Sequence, residues 1–127
     1  MSAARTARSV LLGALLGLLA TSASAEPPPQ AQREIAQLID ALGSSGCEFQ
    51  RSGKWYPAGE AKTHLQRKYD YLRRRDLVAS AEQFIERAGT QSSMSGKAYA
   101  VRCPGQGTMP SAQWLGARLS GLRHAKP

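Results

Sequence analysis

The segment at residues 47–57, CEFQRSGKWYP, constrains the fold more than any other part of the chain. Its residues alternate in character on both sides of the Ser-Gly pair at 52–53, which is typical of a two-residue β-hairpin turn. A turn at this position pairs Phe49 with Tyr56. Because cross-strand partners share one face of a sheet, both side chains are predicted to point to the core, whereas Trp55 is predicted to point away from it.

Residues 1–25 have the pattern of a secretory signal peptide. Two arginines give a positively charged start, and an apolar stretch of eleven residues follows at 10–20. A small-x-small pattern ending at Ala25 predicts cleavage there. Eleven residues are too few to cross a bilayer as a helix. The mature protein is therefore predicted to begin at Glu26 and to be periplasmic or secreted.

The charge of the mature chain indicates what kind of partner suits it. The signal peptide contains two of the 17 lysines and arginines and none of the nine acidic residues, so the mature chain carries a net charge of about +6. Such an excess favours association with anions, here an anionic envelope component or an acidic protein. Export argues against nucleic acid as the partner, and the oligomeric state is left open.

Cys47 and Cys103 are the only cysteines of the chain. In an oxidising compartment such a pair predicts one disulfide. It would close a loop of about 57 residues, which the chain-entropy model makes worth about 4 kcal/mol. A zinc site explains the two cysteines less well than a disulfide does, because only His64 and His124 could join the thiols and no C-x-x-C spacing occurs. No metal ion or other cofactor is predicted.

Apolar residues at helical spacing predict four helices around the hairpin. The first covers residues 32–42 and ends at the glycine and serine residues that follow. The second runs from 58 to about 74. Ser80, with Gln83 three residues later, has the pattern of a capping box and starts a short third helix. Ser111 is predicted to cap the last helix.

One further strand is predicted at residues 97–103, KAYAVRC, where Tyr99 and Cys103 point to the same side. The chain is therefore predicted to form one α+β domain over residues 32–124, preceded by an extended proline-rich leader at 26–31. Its sheet would be small and antiparallel, made of the hairpin plus one further strand. About four helices would pack mainly on one face of that sheet.

The second helix carries an acid, an imidazole and an amine, namely Glu60, His64 and Lys68, each four residues from the last. This spacing places them along one side of the helix. One interpretation is a catalytic strip in which His64 is a general acid or base. The other is a series of i,i+4 ion pairs on the solvent-exposed side of an amphipathic helix. His64 and Lys68 are predicted to border the buried stripe, and Glu60 to face outward.

Two polar segments hold further candidate binding residues. The stretch at 66–76, QRKYDYLRRRD, ends with Arg73, Arg74 and Arg75. Their guanidinium groups suit phosphate or carboxylate groups, and a solvated helix end is the alternative interpretation.

The second segment is the loop at 90–97, TQSSMSGK, which contains Ser92 and Ser93. Its spacing departs from that of a phosphate-binding P-loop. The hydroxyls are expected either to satisfy the loop backbone or to form an anion nest.

Arg51 and Trp55, both on the hairpin, complete the candidate binding residues. A tryptophan on the open face of a sheet is typical of a binding site, because its flat ring buries much area at little entropic cost. The competing interpretation is that the last helix, with Trp114, folds over the indole of Trp55.

The central part of the chain, roughly residues 47–105, resembles the YfeK-like family of small exported bacterial proteins, a domain of unknown function. The matching motifs are F-x-R-x-G at 49–53, E-A-x-x-H-L-x-x-K at 60–68, A-E-Q-F-I at 81–85 and S-S-x-S-G-K-x-Y at 92–99. The resemblance implies an exported location and one shared fold. It supplies no reaction, ligand or established site.

These observations favour an exported soluble binding or accessory protein that is not an enzyme. A first alternative is a small hydrolase that acts on an anionic or glycan substrate through His64 and Glu60. A second alternative is a periplasmic inhibitor or immunity-type protein that blocks the active site of another protein.

Overall fold

The structure is a computed structural model that describes residues 13, 17 and 26–125. The predicted signal peptide and its cleavage after Ala25 thus lie outside the described residues, apart from two isolated glycines. The described chain forms four helices and four short strands: α1 (Pro29–Gly43), β1 (Glu48–Arg51), β2 (Lys54–Pro57), α2 (Ala58–Arg74), α3 (Ala81–Ala88), β3 (Ala100–Arg102), β4 (Thr108–Pro110) and α4 (Ser111–His124). The predicted α+β class is confirmed. None of the described helices has the length and apolar character needed to cross a membrane.

The four strands form one antiparallel sheet in the order β2-β1-β3-β4. The hairpin has the predicted register, with Phe49 opposite Tyr56 and Trp55 opposite Gln50. Both turn residues have positive φ, 48° at Ser52 and 81° at Gly53. A type I′ turn requires this backbone at both positions, and its twist matches the twist of the two strands.

The fourth strand was not predicted from the sequence, which indicated only three. β4 is three residues long, too short for an alternating pattern to show, and it contains Pro110. A proline is tolerated there because β4 is at the edge of the sheet. The strand predicted at 97–103 is also shorter than expected. Its ladder covers Ala100–Arg102, and Ala98 only forms an isolated bridge with Gln91.

The first helix begins at Pro29, three residues before the predicted start. Proline is favoured in the first turn of a helix, since the amide hydrogen that it lacks has no partner there. Residues 29–31 of the predicted extended leader are therefore helical. The side-chain amide of Gln32 also donates to the carbonyl oxygen of Pro27 at 2.7 Å, which holds the preceding residues against the helix.

The two predicted serine caps have different outcomes. Ser80 caps α3 as expected, because its hydroxyl accepts from the amide of Gln83 at 3.1 Å. The prediction for Ser111 is wrong. Pro110 is the N-cap of α4, and the Ser111 hydroxyl has no hydrogen-bond partner within the described part of the chain. Instead, the Ser111 amide donates to the carbonyl oxygen of Tyr99 at 2.9 Å, so its position is set by β3.

The helices cover one face of the sheet and enclose one hydrophobic core. Phe49 and Val101 project from adjacent central strands into this core. Cys47, Val78 and Tyr99 join it from segments between the elements. The four helices supply the rest of it: Ile35, Leu38, Ile39, Leu42, Ala61, Leu65, Tyr69, Leu72, Ala81, Phe84, Ala88, Trp114, Leu115 and Leu119. Tyr56, predicted to be a core residue, is only partly buried because β2 is an edge strand.

The predicted disulfide is confirmed. The Sγ atoms of Cys47 and Cys103 are 2.02 Å apart, and the Cα atoms are 4.2 Å apart. The bond joins the start of β1 to the end of β3, one residue beyond the paired residues Glu48 and Arg102. It therefore closes the central strand pair at the end of the sheet that is opposite Tyr99.

Replacing both Cys47 and Cys103 with serine should lower the free energy of unfolding by about 2–5 kcal/mol. Without the bond between these cysteines, which are 56 positions apart, the unfolded chain gains conformational entropy. Urea unfolding of the oxidised protein and of the double variant measures this difference. The reduced wild-type protein is the control, and it should unfold at nearly the same urea concentration as the variant. Equal midpoints for the oxidised protein and the variant would contradict the prediction.

Candidate functional site

The hydroxyl of Tyr99 lies between two members of the predicted strip on α2. It is 3.0 Å from Nε2 of His64 and 3.1 Å from Nζ of Lys68. The two α2 residues are partly buried, as expected at the border of the stripe, whereas only 2% of the Tyr99 surface is exposed. Tyr99 precedes β3 directly, so the site joins the sheet to α2.

The hydrogen bonds at Tyr99 determine which groups carry protons. A lysine ammonium group only donates, so the Tyr99 hydroxyl accepts from Lys68. Its own proton then has one described acceptor, Nε2 of His64. His64 is therefore the neutral tautomer with its proton on Nδ1, and Nδ1 has no described partner. The Nδ1–H group remains available as a hydrogen-bond donor.

Burial and nearby cations keep His64 neutral. Burial contributes most to lowering the pKa of His64 from 6.5 to about 4, followed by the charges of Arg51, Lys68 and Arg67. The pKa of Lys68 is also lowered, by burial and then by Arg51. The pKa of Tyr99 is raised by burial, which outweighs the opposite effect of Arg51. At neutral pH the cluster thus contains a neutral imidazole, a neutral phenol and an ammonium group.

Glu60, the third member of the predicted strip, does not join this cluster. It is exposed, and it forms no hydrogen bond or ion pair with any residue that the structure describes. His64 binds Tyr99 instead of an acidic residue. The structure therefore brings together His64 and Lys68 but not the carboxylate that would orient a catalytic histidine.

Two clefts lie on either side of His64. The first, which we call the α2–α3 cleft, has a volume of about 500 Å³ and is lined by His64, Arg67, Lys68, Tyr71, Leu72, Arg87 and Ser93. The second, which we call the hairpin cleft, has a volume of about 270 Å³ and is lined by Arg51, Gly59, Glu60, Thr63, His64 and Arg67. His64 and Arg67 form the wall that the two clefts share.

The cations in these clefts lack acidic partners. Within residues 26–125, no carboxylate oxygen lies within 4.0 Å of a side-chain nitrogen of Arg51, Arg67 or Lys68. Lys68 instead donates to Tyr99 and, at 3.0 Å, to the carbonyl oxygen of Gln91. The α2–α3 cleft thus has positive charge and no acidic residue among its described lining, whereas Glu60 lines the hairpin cleft together with Arg51 and Arg67.

The predicted arginine run at 73–75 is dispersed around the end of α2. Arg73 forms an ion pair with Glu26 at 3.0 Å. Arg74 lines a separate shallow depression with the same glutamate. Arg75 lies over the ring of Tyr71 at 4.3 Å, and this contact places it at the rim of the α2–α3 cleft.

The two predicted loop serines have different surroundings. The hydroxyl of Ser92 accepts from the amides of Met94 and Ser95, each at 3.2 Å, and so satisfies the loop backbone. Ser93 lines the α2–α3 cleft. The loop is further held at Ser52 of the hairpin turn, whose hydroxyl is 3.1 Å from that of Ser95.

Trp55 is on the face of the sheet opposite the core, as its register requires. It is partly exposed, and the guanidinium carbon of Arg102 lies 4.0 Å from the ring centroid. Arg102 is itself fixed by an ion pair with Glu48 at 3.0 Å. Trp114 is in the core, with 6% of its surface exposed. The partner of the Trp55 ring is therefore an arginine of β3.

Two residues of the site, Arg87 and Tyr99, were not identified as candidates from the sequence, and Arg67 was included only as one cation of the stretch at 66–76. Tyr99 could have been identified from the sequence, since the alternating pattern at 97–103 placed its polar hydroxyl on the core side of a strand. Arg67 is three residues after His64 and so shares its side of the helix. Arg87 had no such signal, because it reaches the cleft from α3. In the described part of the chain, no three histidine, cysteine or acidic side chains are grouped closely enough to hold a metal ion.

The match to known proteins covers all four helices and the whole sheet. The model of a family of unknown function, DUF5329, matches residues 29–123. The chain belongs to this family. No curated protein and no solved structure is significantly similar to the chain. DUF5329 carries no assigned activity, and the resemblance to YfeK-like proteins stays a prediction.

The lowered pKa of His64 predicts a stability change in this DUF5329 chain below pH 6.5. Between pH 6.5 and about 4 the unfolded chain binds more protons at this residue than the folded chain does, so stability falls as pH falls. The loss should be about 1–2 kcal/mol after allowance for screening at a half-exposed side chain. Denaturant unfolding at several pH values measures it.

The matched control for this measurement is His64→Gln, whose amide can still bond Tyr99 but does not titrate. Acidic residues that titrate over the same range contribute equally to both proteins, so the difference between the two pH profiles isolates His64. Identical profiles would show that the pKa of His64 is not lowered on folding.

The contact between Arg102 and Trp55 predicts partial shielding of the indole. In a Trp114→Phe background, where Trp55 is the only tryptophan, Arg102→Ala should increase quenching by acrylamide by roughly a factor of two. Arg33→Ala, on an exposed position of α1, is the control and should leave quenching unchanged. If quenching is weak in all three proteins, Trp55 is covered by something other than Arg102.

Proposed function

We propose that the protein is an exported binding protein that holds an anionic group in the clefts beside His64. The observation that carries this proposal is the set of cations without acidic partners on both sides of this residue. Arg51 and Arg67 line the hairpin cleft, and Arg67 and Lys68 line the α2–α3 cleft. An anion that entered the α2–α3 cleft would supply the negative charge that its described lining lacks, and in the hairpin cleft Glu60 offsets part of the charge of Arg51 and Arg67.

The donors in the clefts suit a phosphate or carboxylate group. An arginine presents several N–H groups in a planar fork that matches both anions, and such charge-assisted hydrogen bonds are stronger than neutral ones. Lys68 is held in place by its bonds to Tyr99 and Gln91. The Nδ1–H group of His64 adds a neutral donor. Lys68 and His64 are already ordered by these bonds, so a ligand would not need to immobilise them.

The same geometry favours binding over catalysis. A general base works best when its pKa is near the working pH, whereas the pKa of His64 is lowered to about 4. Its Nε2 atom is bonded to Tyr99, and Glu60 is not in a position to orient the ring. The hydrolase alternative, with His64 and Glu60 as its catalytic pair, therefore has weaker support. No described contact favours the inhibitor alternative, which stays a prediction.

Export is supported by the bond between Cys47 and Cys103, since disulfides form and persist mainly in oxidising compartments. The net positive charge of the predicted mature chain also suits the anionic groups of a cell envelope. An envelope anion that carries phosphate or carboxylate is the class of ligand that we propose.

Glycerol phosphate is a suitable soluble probe of this proposal. It should bind weakly and shift the NMR signals of residues in the two clefts. Arg67→Gln should weaken binding about tenfold or more, because it removes a charge-assisted hydrogen bond from the wall that both clefts share.

Arg33→Gln is the matched control for charge. Arg33 is exposed on α1 and has no described partner, so this variant loses the same charge outside the site. Its affinity for glycerol phosphate should be close to that of the wild type. Equal losses in both variants would mean that the anion responds only to net charge, and the proposed site would be wrong.

A further inference from the structure

Exposed apolar residues are concentrated at the rim of the α2–α3 cleft. Among the described residues, the large hydrophobic side chains with substantial exposure are Tyr71 at 48%, Leu77 at 41% and Met94 at 98%. Tyr71 lines the cleft itself. Leu77 is connected to the cleft through Arg87, and Met94 is connected to it through Ser93.

Leu77 is connected to the cleft through Arg87. The guanidinium group of Arg87 donates to the carbonyl oxygen of Leu77, and Arg87 forms part of the cleft wall. The backbone of Leu77 is also fixed, because its amide donates to the carbonyl oxygen of Leu72 at 2.9 Å. The backbone of Leu77 is thus held beside a cation of the cleft wall, and its side chain is exposed.

Met94 follows Ser93, which lines the cleft from the opposite loop. The loop around it is ordered, since Ser92 accepts from two amides and Lys68 donates to Gln91. The methionine side chain is therefore presented to solvent by a well-held backbone. Methionine is flexible and polarizable, which lets it adapt to irregular apolar surroundings.

Cations surround these apolar residues. Arg67, Lys68 and Arg87 line the cleft, and Arg75 lies over the ring of Tyr71. Asp76, next to Leu77 in the chain, is an acidic residue that does not line the cleft. Apolar tips among cations are characteristic of proteins that bind an anionic membrane surface, where the tips enter the boundary between headgroups and acyl chains.

We propose that this rim docks onto a bilayer of anionic phospholipid, with Tyr71, Leu77 and Met94 entering the headgroup boundary and a lipid phosphate held in the α2–α3 cleft. This inference rests on the proposed function and names the source of the anion. An acidic protein is a weaker candidate. Met94 projects almost fully into solvent, so a protein partner would need a matching pocket, whereas a fluid lipid surface adapts to a projecting side chain.

In the docked orientation, the face of the sheet opposite the core would remain exposed to water. Trp55 and Arg102 are on the face of the sheet opposite the core, which the helices do not cover. The rim of the cleft is instead built from α2, α3 and the loop at 91–97. A protein bound to the membrane through this rim would therefore keep the face with Trp55 accessible to water.

Binding of the exported protein to lipid vesicles tests the inference. The protein should sediment with vesicles of mixed phosphatidylglycerol and phosphatidylcholine and should not sediment with phosphatidylcholine alone. Met94→Ser should weaken binding to the mixed vesicles by about three- to tenfold, and Arg67→Gln by about fivefold. Met94→Leu keeps an apolar tip and should bind as the wild type does.

Arg33→Gln is again the control for charge. Because Arg33 is outside the cleft, this variant should reduce vesicle binding by less than about twofold if the cleft faces the membrane. Equal losses in Arg33→Gln and Arg67→Gln, together with no effect of Met94→Ser, would overturn the inference in favour of general attraction between a basic protein and an anionic surface. Comparable binding to soluble poly-glutamate that is independent of Met94 would overturn it in favour of an acidic protein partner.

The soluble probe separates this inference from the function on which it rests. If glycerol phosphate binds in an Arg67-dependent manner but the anionic vesicles do not bind, the membrane inference is wrong and the proposed function stands. If neither the vesicles nor glycerol phosphate bind, both are wrong. Vesicle binding that needs both Met94 and Arg67 supports both.

Discussion

The position of Tyr99 is the constraint on which the rest of the site depends. Its hydroxyl joins His64 to Lys68, its amide donates to Thr90 at 2.9 Å, and its carbonyl oxygen accepts from Ser111 at 2.9 Å. One buried residue thus fixes the relative positions of α2, the loop after α3 and the start of α4. A buried phenol needs hydrogen-bond partners, and satisfying that need is what brings the imidazole and the ammonium group together.

This arrangement also determines the charge of the residues around Tyr99. Packing at the border of the core removes water from His64 and Lys68, and cations close to the histidine disfavour a second positive charge on it. The histidine therefore remains neutral and contributes as a hydrogen-bond donor. Arg51 and Arg67 stay ionised beside it, so the site combines permanent positive charge with a neutral donor.

The sequence predicted the parts of the fold that local patterns determine. The hairpin register follows from residues 47–57 alone, and the border positions of His64 and Lys68 follow from helical periodicity. The fourth strand could not be predicted, because three residues do not show an alternation and the strand forms only by pairing with β3. The cap assigned to Ser111 was wrong for the same reason, since a long-range bond to the sheet sets its position. Likewise, Arg87 reaches the cleft through the packing of α3 against α2, which no local pattern encodes.

The place of the disulfide in the sheet has a consequence for how the chain reaches this structure. Antiparallel strands can pair in shifted alignments, and β1 and β3 are short enough that few hydrogen bonds distinguish one alignment from another. Cys47 and Cys103 lie opposite each other only when Glu48 is paired with Arg102. Closure of the bond therefore selects the one alignment that places Tyr99 against α2. The disulfide at one end of β1 and β3 therefore fixes the register on which the position of Tyr99, at the other end, depends.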